Sequence, residues 1–233
     1  MLWLGFIMIT VVTVMSANIQ NDIMNDDTKV LQMLIDCEGS VASLRNELKA
    51  RGKQRTLYIR WGRSSCPSGA TTVYDGFTAG SHSYHDGAAA NHICLSKKPK
   101  YHYYSKKPKW STLIYGAEYG TLNSIWNNLH NHDIPCAVCH VPRSSIIMHP
   151  GRNDCPDNFK LEYGGYLMAG HYGHDAATEF VCFDGSSHAD KYSSSADHDG
   201  SLFYFVEAAC GALKCRPYES GKQITCAVCS YSP

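Results

Sequence analysis

Hydrophobic and polar positions follow three successive regimes along the chain. An apolar run from Leu2 through Val14 ends at the small residues Ser16 and Ala17. It is too short to span a bilayer comfortably, and its ending predicts a signal peptide over 1–17. A polar, Asp- and Asn-rich stretch, 18–27, reads as a linker. From Thr28 the pattern becomes helical: Val30, Leu34, Cys37, Val41, Leu44 and Leu48 alternate at spacings of four and three. This is a heptad seam, which predicts an amphipathic or coiled-coil helix over 28–51 that associates through its apolar positions. Gly39 and Ser40 lower helix propensity in its middle, and packing of the helix on its own domain is the competing reading. Cys37 occupies a core-like position, where identical residues of partner chains face one another, and is the interchain disulfide candidate.

From Thr56 onward short runs rich in Tyr, Val, Ile, Thr and Phe are broken by Gly, Pro, Asn and Asp. Strands are expected over 56–61, 72–77, 112–119, 144–148, 161–168, 179–183, 202–207 and 224–228. A short helix fits Thr121 to His130. The fold class is therefore all-β after an N-terminal helix.

The β region repeats itself. Gly62-Arg63-Ser64-Ser65-Cys66-Pro67 returns as Gly151-Arg152-Asn153-Asp154-Cys155-Pro156, and Cys136-Ala137-Val138-Cys139 returns letter for letter as Cys226-Ala227-Val228-Cys229. Between these landmarks, His82 and His85 match His171 and His174, and Cys94 matches Cys182. Agreement in order and spacing predicts a tandem duplication of a small disulfide-stapled β unit, 56–141 and 142–233.

Eleven cysteines in a chain with an export signal point to disulfides and a secreted, extracellular location. As isolated motifs, the two Cys-Ala-Val-Cys segments also suit zinc or redox chemistry. Zinc needs thiolates kept reduced, and a redox pair needs a βαβ setting that the pattern lacks. The 21 basic and 21 acidic residues balance to zero, so no global field draws the chain to nucleic acid or an anionic membrane.

Any polyanion site is local. Lys97, Lys98, Lys100, Lys106, Lys107 and Lys109, interleaved with Tyr101, Tyr103, Tyr104 and Trp110, would suit an acidic glycan or acidic matrix partner, or form a solvated loop. His82, His85, His171 and His174 have spacings that could chelate a metal, or are polar loop residues. Asp184, Asp190, Asp197 and Asp199 lie in a Ser-rich stretch that could meet calcium or mineral. No nucleophile-elbow, metalloprotease or phosphate-cradling motif occurs, no catalytic residue is assigned, and no cofactor is implied. Glu118 and Glu207 fall at matching positions of the two halves, which repeat symmetry explains more economically than paired acid and base roles.

Cys66-Pro67-Ser68-Gly69, the Tyr-x-Gly-aromatic at Tyr74 to Phe77, and the Cys-Ala-Val-Cys closing each half resemble the C-terminal non-collagenous domain of type IV collagen. The strings Tyr58-Ile59-Arg60-Trp61-Gly62-Arg63, Ala90-Asn91-His92-Ile93-Cys94-Leu95 and His130-Asn131-His132-Asp133-Ile134-Pro135 are similar to invertebrate short-chain collagen-like secreted proteins. The resemblance implies pairing of Cys66 with Cys139, Cys94 with Cys136, Cys155 with Cys229, Cys182 with Cys226, and Cys210 with Cys215, which leaves Cys37 over. No Gly-x-y run is present, so a collagen triple helix is excluded. The expected function is a secreted structural, matrix-type protein that forms homo-oligomers and acts by association. The alternatives are a glycan-binding, lectin-like module and a metal- or mineral-interacting shell or skeletal matrix protein.

Overall fold

The computed structural model describes residues 2–51, 55–101 and 110–232. It divides into two compact units, Met1–Lys53 and Gln54–Pro233. The first is a single helix, α1 (Leu2–Arg51), 50 residues long. It is longer than the heptad pattern predicts: 18–27, read as a linker, is helical, and so is the apolar run before it. Asp, Asn and Gln break a hydrophobic seam without breaking the backbone ladder, because each costs well under 1 kcal/mol in a helix interior. Gly39 and Ser40 are likewise carried within the helix, and Ser40 Oγ donates to the Asp36 carbonyl at 2.9 Å. Among the described residues no helix is long and apolar enough to cross a membrane.

The second unit is mostly β. Its strands are β1 (Thr56–Trp61), β2 (Thr71–Gly80), β3 (Ile93–Ser96), β4 (Tyr115–Tyr119), β5 (Pro135–Val141), β6 (Ile146–Pro150), β7 (Phe159–Ala169), β8 (Val181–Asp184), β9 (Ser201–Phe205) and β10 (Thr225–Tyr231). The pattern expected at Thr121 to His130 yields only a 3-10 turn, Asn127–Leu129. Strands β3 and β5 were not expected. The first is four residues long, and the second opens with Pro135 and is buried at most positions on both faces, so neither alternates.

The strand order is β6-β10-β7-β8-β1-β5-β2-β4-β9, with β3 on β2 and a further pairing of β9 with β7 that closes a ring. The residues expected to form two successive units are thereby interleaved within one compact unit. β8 lies parallel to β1 through Trp61 and Phe183, and β9 lies parallel to β4 from Ala117–Ser201 to Tyr119–Phe203. Two core clusters result. One gathers Trp61, Tyr119, Trp126, Phe183 and Phe203, and the other gathers Tyr58, Val141, Tyr163, Leu167 and Val228 around Cys139 and Cys226.

Glycine is required where strands approach most closely. A Cβ on Gly76 would stand 2.5 Å from the Leu95 carbonyl oxygen, and one on Gly165 would stand 2.0 Å from that of Phe183. Those are the Tyr-x-Gly-aromatic positions of the two halves, and the close approach is the physical reason for the motif.

Candidate functional site

Five disulfides staple the β unit: Cys66–Cys139, Cys94–Cys136, Cys155–Cys229, Cys182–Cys226 and Cys210–Cys215. Cys136, Cys139, Cys226 and Cys229 are fully buried. β5 and β10 each place one cysteine of the Cys-Ala-Val-Cys toward either face, as residues separated by an odd number of positions on a strand must do. The free cysteine is Cys37, exposed on α1. The apolar residues flanking it along the same heptad, Val30, Leu34, Val41, Leu44 and Leu48, are 42–67% exposed.

A second surface lies at β3, which among the described residues pairs only with β2 and so leaves its other edge without a described partner. Phe77 faces Leu95 and Ala79 faces Ile93 across that pair, and Phe77, Ile93 and Leu95 are each about 40% exposed. In the other half, the strand that pairs with β7 in the same way is β8, which is buried throughout and covered by β1.

Of the lysine cluster, Lys97 is held by acidic side chains. The Lys97 ammonium meets Asp190 at 2.5 Å and Asp75 at 3.4 Å and stands 4.9 Å over the Phe77 ring. Burial works against its charge, but the bonds to Asp190 and Asp75 outweigh it and hold its pKa above the ordinary value. Lys97 is thus an internal brace. Lys98 and Lys100 are exposed, and Lys106, Lys107 and Lys109 lie outside the described residues.

The histidine pairs make matching local contacts. In the first, the Tyr84 N–H donates to His82 Nδ1 at 3.2 Å and the His85 N–H donates to the His82 carbonyl at 3.1 Å. In the second, the Gly173 N–H donates to His171 Nδ1 at 3.1 Å and His174 N–H to the His171 carbonyl at 3.1 Å. A neutral ring whose Nδ1 accepts a backbone proton carries its hydrogen on Nε2. Each pair also packs edge-on against one tyrosine: His82 and His85 at 5.0 and 5.5 Å from Tyr115, His171 and His174 at 5.2 and 5.6 Å from Tyr204. Burial, with His171 alongside, lowers the His174 pKa. Among the described residues no three His, Cys, Asp or Glu side chains gather as metal ligands.

The acidic stretch is partly consumed as well. Asp184 accepts from Arg60 Nε at 2.7 Å and Nη2 at 2.6 Å, and Asp190 holds Lys97. Asp197 and Asp199 are exposed. Glu118 and Glu207 are not a carboxylate pair: Glu118 is buried, with its pKa raised chiefly by burial, and Glu207 is exposed.

No spacing along the chain foretells the joint around His92, whose partners Glu179 and Ser201 are 87 and 109 residues away. Its ring is 4% exposed, lies 4.2 Å from the Phe203 ring, meets Ser201 Oγ at 2.9 Å through Nε2, and has no hydrogen-bond partner at Nδ1. The Glu179 carboxylate accepts the His92 backbone N–H at 2.6 Å and stands 4.0 Å from Nδ1. Serine, histidine and carboxylate here have the order of a nucleophilic triad, but Ser201 is 1% exposed and the Nδ1 distance exceeds a hydrogen bond. The group ties the segments before β3, before β8 and at the start of β9 together. Burial alone lowers the His92 pKa to about 4. Equally unheralded is the buried network in which Arg143, Tyr58 and Ser230 all donate to Glu162. No protein-family model matches the chain.

Proposed function

We propose that this is a secreted, structural, extracellular-matrix-type protein whose activity is self-association and not turnover. The observation that carries the reading is the stripe of Val30, Leu34, Val41, Leu44 and Leu48 left exposed on α1, with the free thiol of Cys37 in its line. Burying a Val or Leu side chain is worth about 1.5–3 kcal/mol, and a helix with such a seam gains that stability by pairing with others as a coiled coil. Cys37 then meets its counterpart and locks the oligomer. The open β3 edge with Phe77, Ile93 and Leu95 offers the β unit a further contact.

In this reading the β unit is a tandem duplication of the kind found in the non-collagenous domain of type IV collagen and in short-chain collagen-like proteins. Matched internal bonding supports it. Cys66–Cys139 and Cys155–Cys229 span 73 and 74 residues, and Cys94–Cys136 and Cys182–Cys226 span 42 and 44. The β2–β4 contact Ala79–Gly116 has its counterpart in the β7–β9 contact Met168–Phe205. Five disulfides fit an oxidising, extracellular setting.

The test is the mass of the mature protein in solution and on denaturing gels, with and without reductant, for wild type and Cys37→Ser. A covalent oligomer that reductant and the substitution both abolish is expected, with the non-covalent oligomer surviving in Cys37→Ser. A monomer under every condition sinks the reading.

A further inference from the structure

A depression of about 490 Å3 opens where the end of β6, the start of β10 and the loop between β9 and β10 meet. Only the second half of the chain builds it, because the loop is stapled locally by Cys210–Cys215 and the first half has no such disulfide. The loop is held in place by backbone bonds from Ala208 to Lys222, Gly221 to Ala208, and Arg216 to Tyr218, at 2.9–3.0 Å. The Tyr218 hydroxyl rests over Gly151, where a Cβ would come within 2.8 Å of it. The site is therefore preformed, and its volume lies in the range of small-ligand sites, about 300–1,000 Å3.

Its lining is chemically mixed. Tyr218, Glu219, Lys222, Gln223 and Thr225 all border it. Elsewhere in the β unit charged side chains such as Arg60, Lys97, Arg143 and Asp184 are tied to one another, but among the described residues none of these five polar side chains has a side-chain partner. The set offers donors and acceptors together, one free cation and one free anion, against an apolar wall of Pro150 and Pro217. Arg152, at the rim, is already committed to Asp154 by two bonds of 2.7 and 2.6 Å.

We propose that this depression binds a short saccharide. Sugar hydroxyls donate and accept at once, which matches Glu219, Gln223 and Thr225. A pyranose C–H face suits the Tyr218 ring and the prolines, and Lys222 is placed to take an acidic substituent. This assigns glycan recognition to the stapled loop and not to the lysine segment, and it does not depend on the helix or on self-association.

The experiment is saturation-transfer difference NMR on the full chain with three probes: a heparin-derived tetrasaccharide, a hyaluronan tetrasaccharide and chitotetraose. Saturation transfer to at least one is expected, with affinity about five- to tenfold weaker in Tyr218→Ala. Lys222→Gln weakens binding of the acidic probes and leaves chitotetraose unchanged. Melting temperature and intact disulfides check the fold of each variant, and if Tyr218→Ala is unfolded, Lys222→Gln and Gln223→Ala decide. No transfer to any probe at millimolar concentration overturns the proposal, as does binding that stays undiminished in folded Tyr218→Ala or Gln223→Ala, or acidic-probe binding undiminished in Lys222→Gln, any of which would place the sugar elsewhere.

Discussion

His92 makes the stability of the β unit depend on pH below about 6.5. In the unfolded chain its imidazole titrates near 6.5, whereas burial in the fold lowers that to about 4. A base whose folded-state pKa is depressed is favoured neutral by the fold. Its contribution is fully present above the unfolded value and is lost as pH falls from about 6.5 toward 4. Worked through the linkage relation, the loss between pH 8 and pH 5 is about 2 kcal/mol, approaching 3 kcal/mol at pH 4. The structural cause is the position of the ring, sealed against Phe203 with Nδ1 unpartnered and Nε2 committed to Ser201. Urea unfolding with disulfides intact, followed at pH 8, 6.5 and 5, measures the effect. His92→Gln supplies the control, because its amide can still reach Ser201 and does not titrate. Wild type is expected to lose about 2 kcal/mol more than the variant between pH 8 and pH 5. Parallel curves for the two proteins would refute the argument and place the acid sensitivity elsewhere, with His174 the next group to examine.

Other perturbations follow from the same geometry. Arg143→Ala leaves the buried Glu162 carboxylate with only Tyr58 and Ser230 as donors, and should cost about 3–5 kcal/mol in denaturant unfolding, whereas Arg152→Ala, at an exposed pair with Asp154, should leave the unfolding midpoint nearly unchanged. Gly165→Ala puts a methyl group 2.0 Å from the Phe183 carbonyl oxygen and should destabilise by more than about 2 kcal/mol, with loss of β8 protection in hydrogen exchange. Replacing Cys155 and Cys229 by Ser opens a closure of 74 residues, for which chain entropy predicts about 4 kcal/mol, read as a lower urea midpoint.

How much of this could be read from the sequence depended on whether the partner was local. The heptad of Val30 to Leu48 repeats within one helix, and runs rich in Tyr, Val, Thr and Phe between breaker residues marked the long strands β2 and β7, so helix and β character were legible. Disulfide bonding was legible from the cysteine count. β3 and β5 were not, because four residues carry no period and a strand buried on both faces does not alternate. Lys97 looked like one member of a solvated basic loop, since nothing near it announces Asp190, 93 residues away. The contacts of His82 and His171 were not legible either, because spacing alone does not say which ring nitrogen a backbone N–H will occupy. Tyr218 gave no signal at all, because its depression is assembled from three separated segments.

The ring of strands has a consequence for how this chain must be made. β1 takes its second neighbour from β8, and β4 takes its parallel neighbour from β9. A nascent chain that has emerged only as far as Val141 can close both first-half disulfides, yet Trp61 still lacks Phe183 beside it and Tyr119 still lacks its edge contact with that ring. Two strand edges and a half-built core therefore stay open until translation passes Phe205. A premature stop in the second half yields not a smaller working protein but a sticky intermediate, and quality control acts on the chain as a whole.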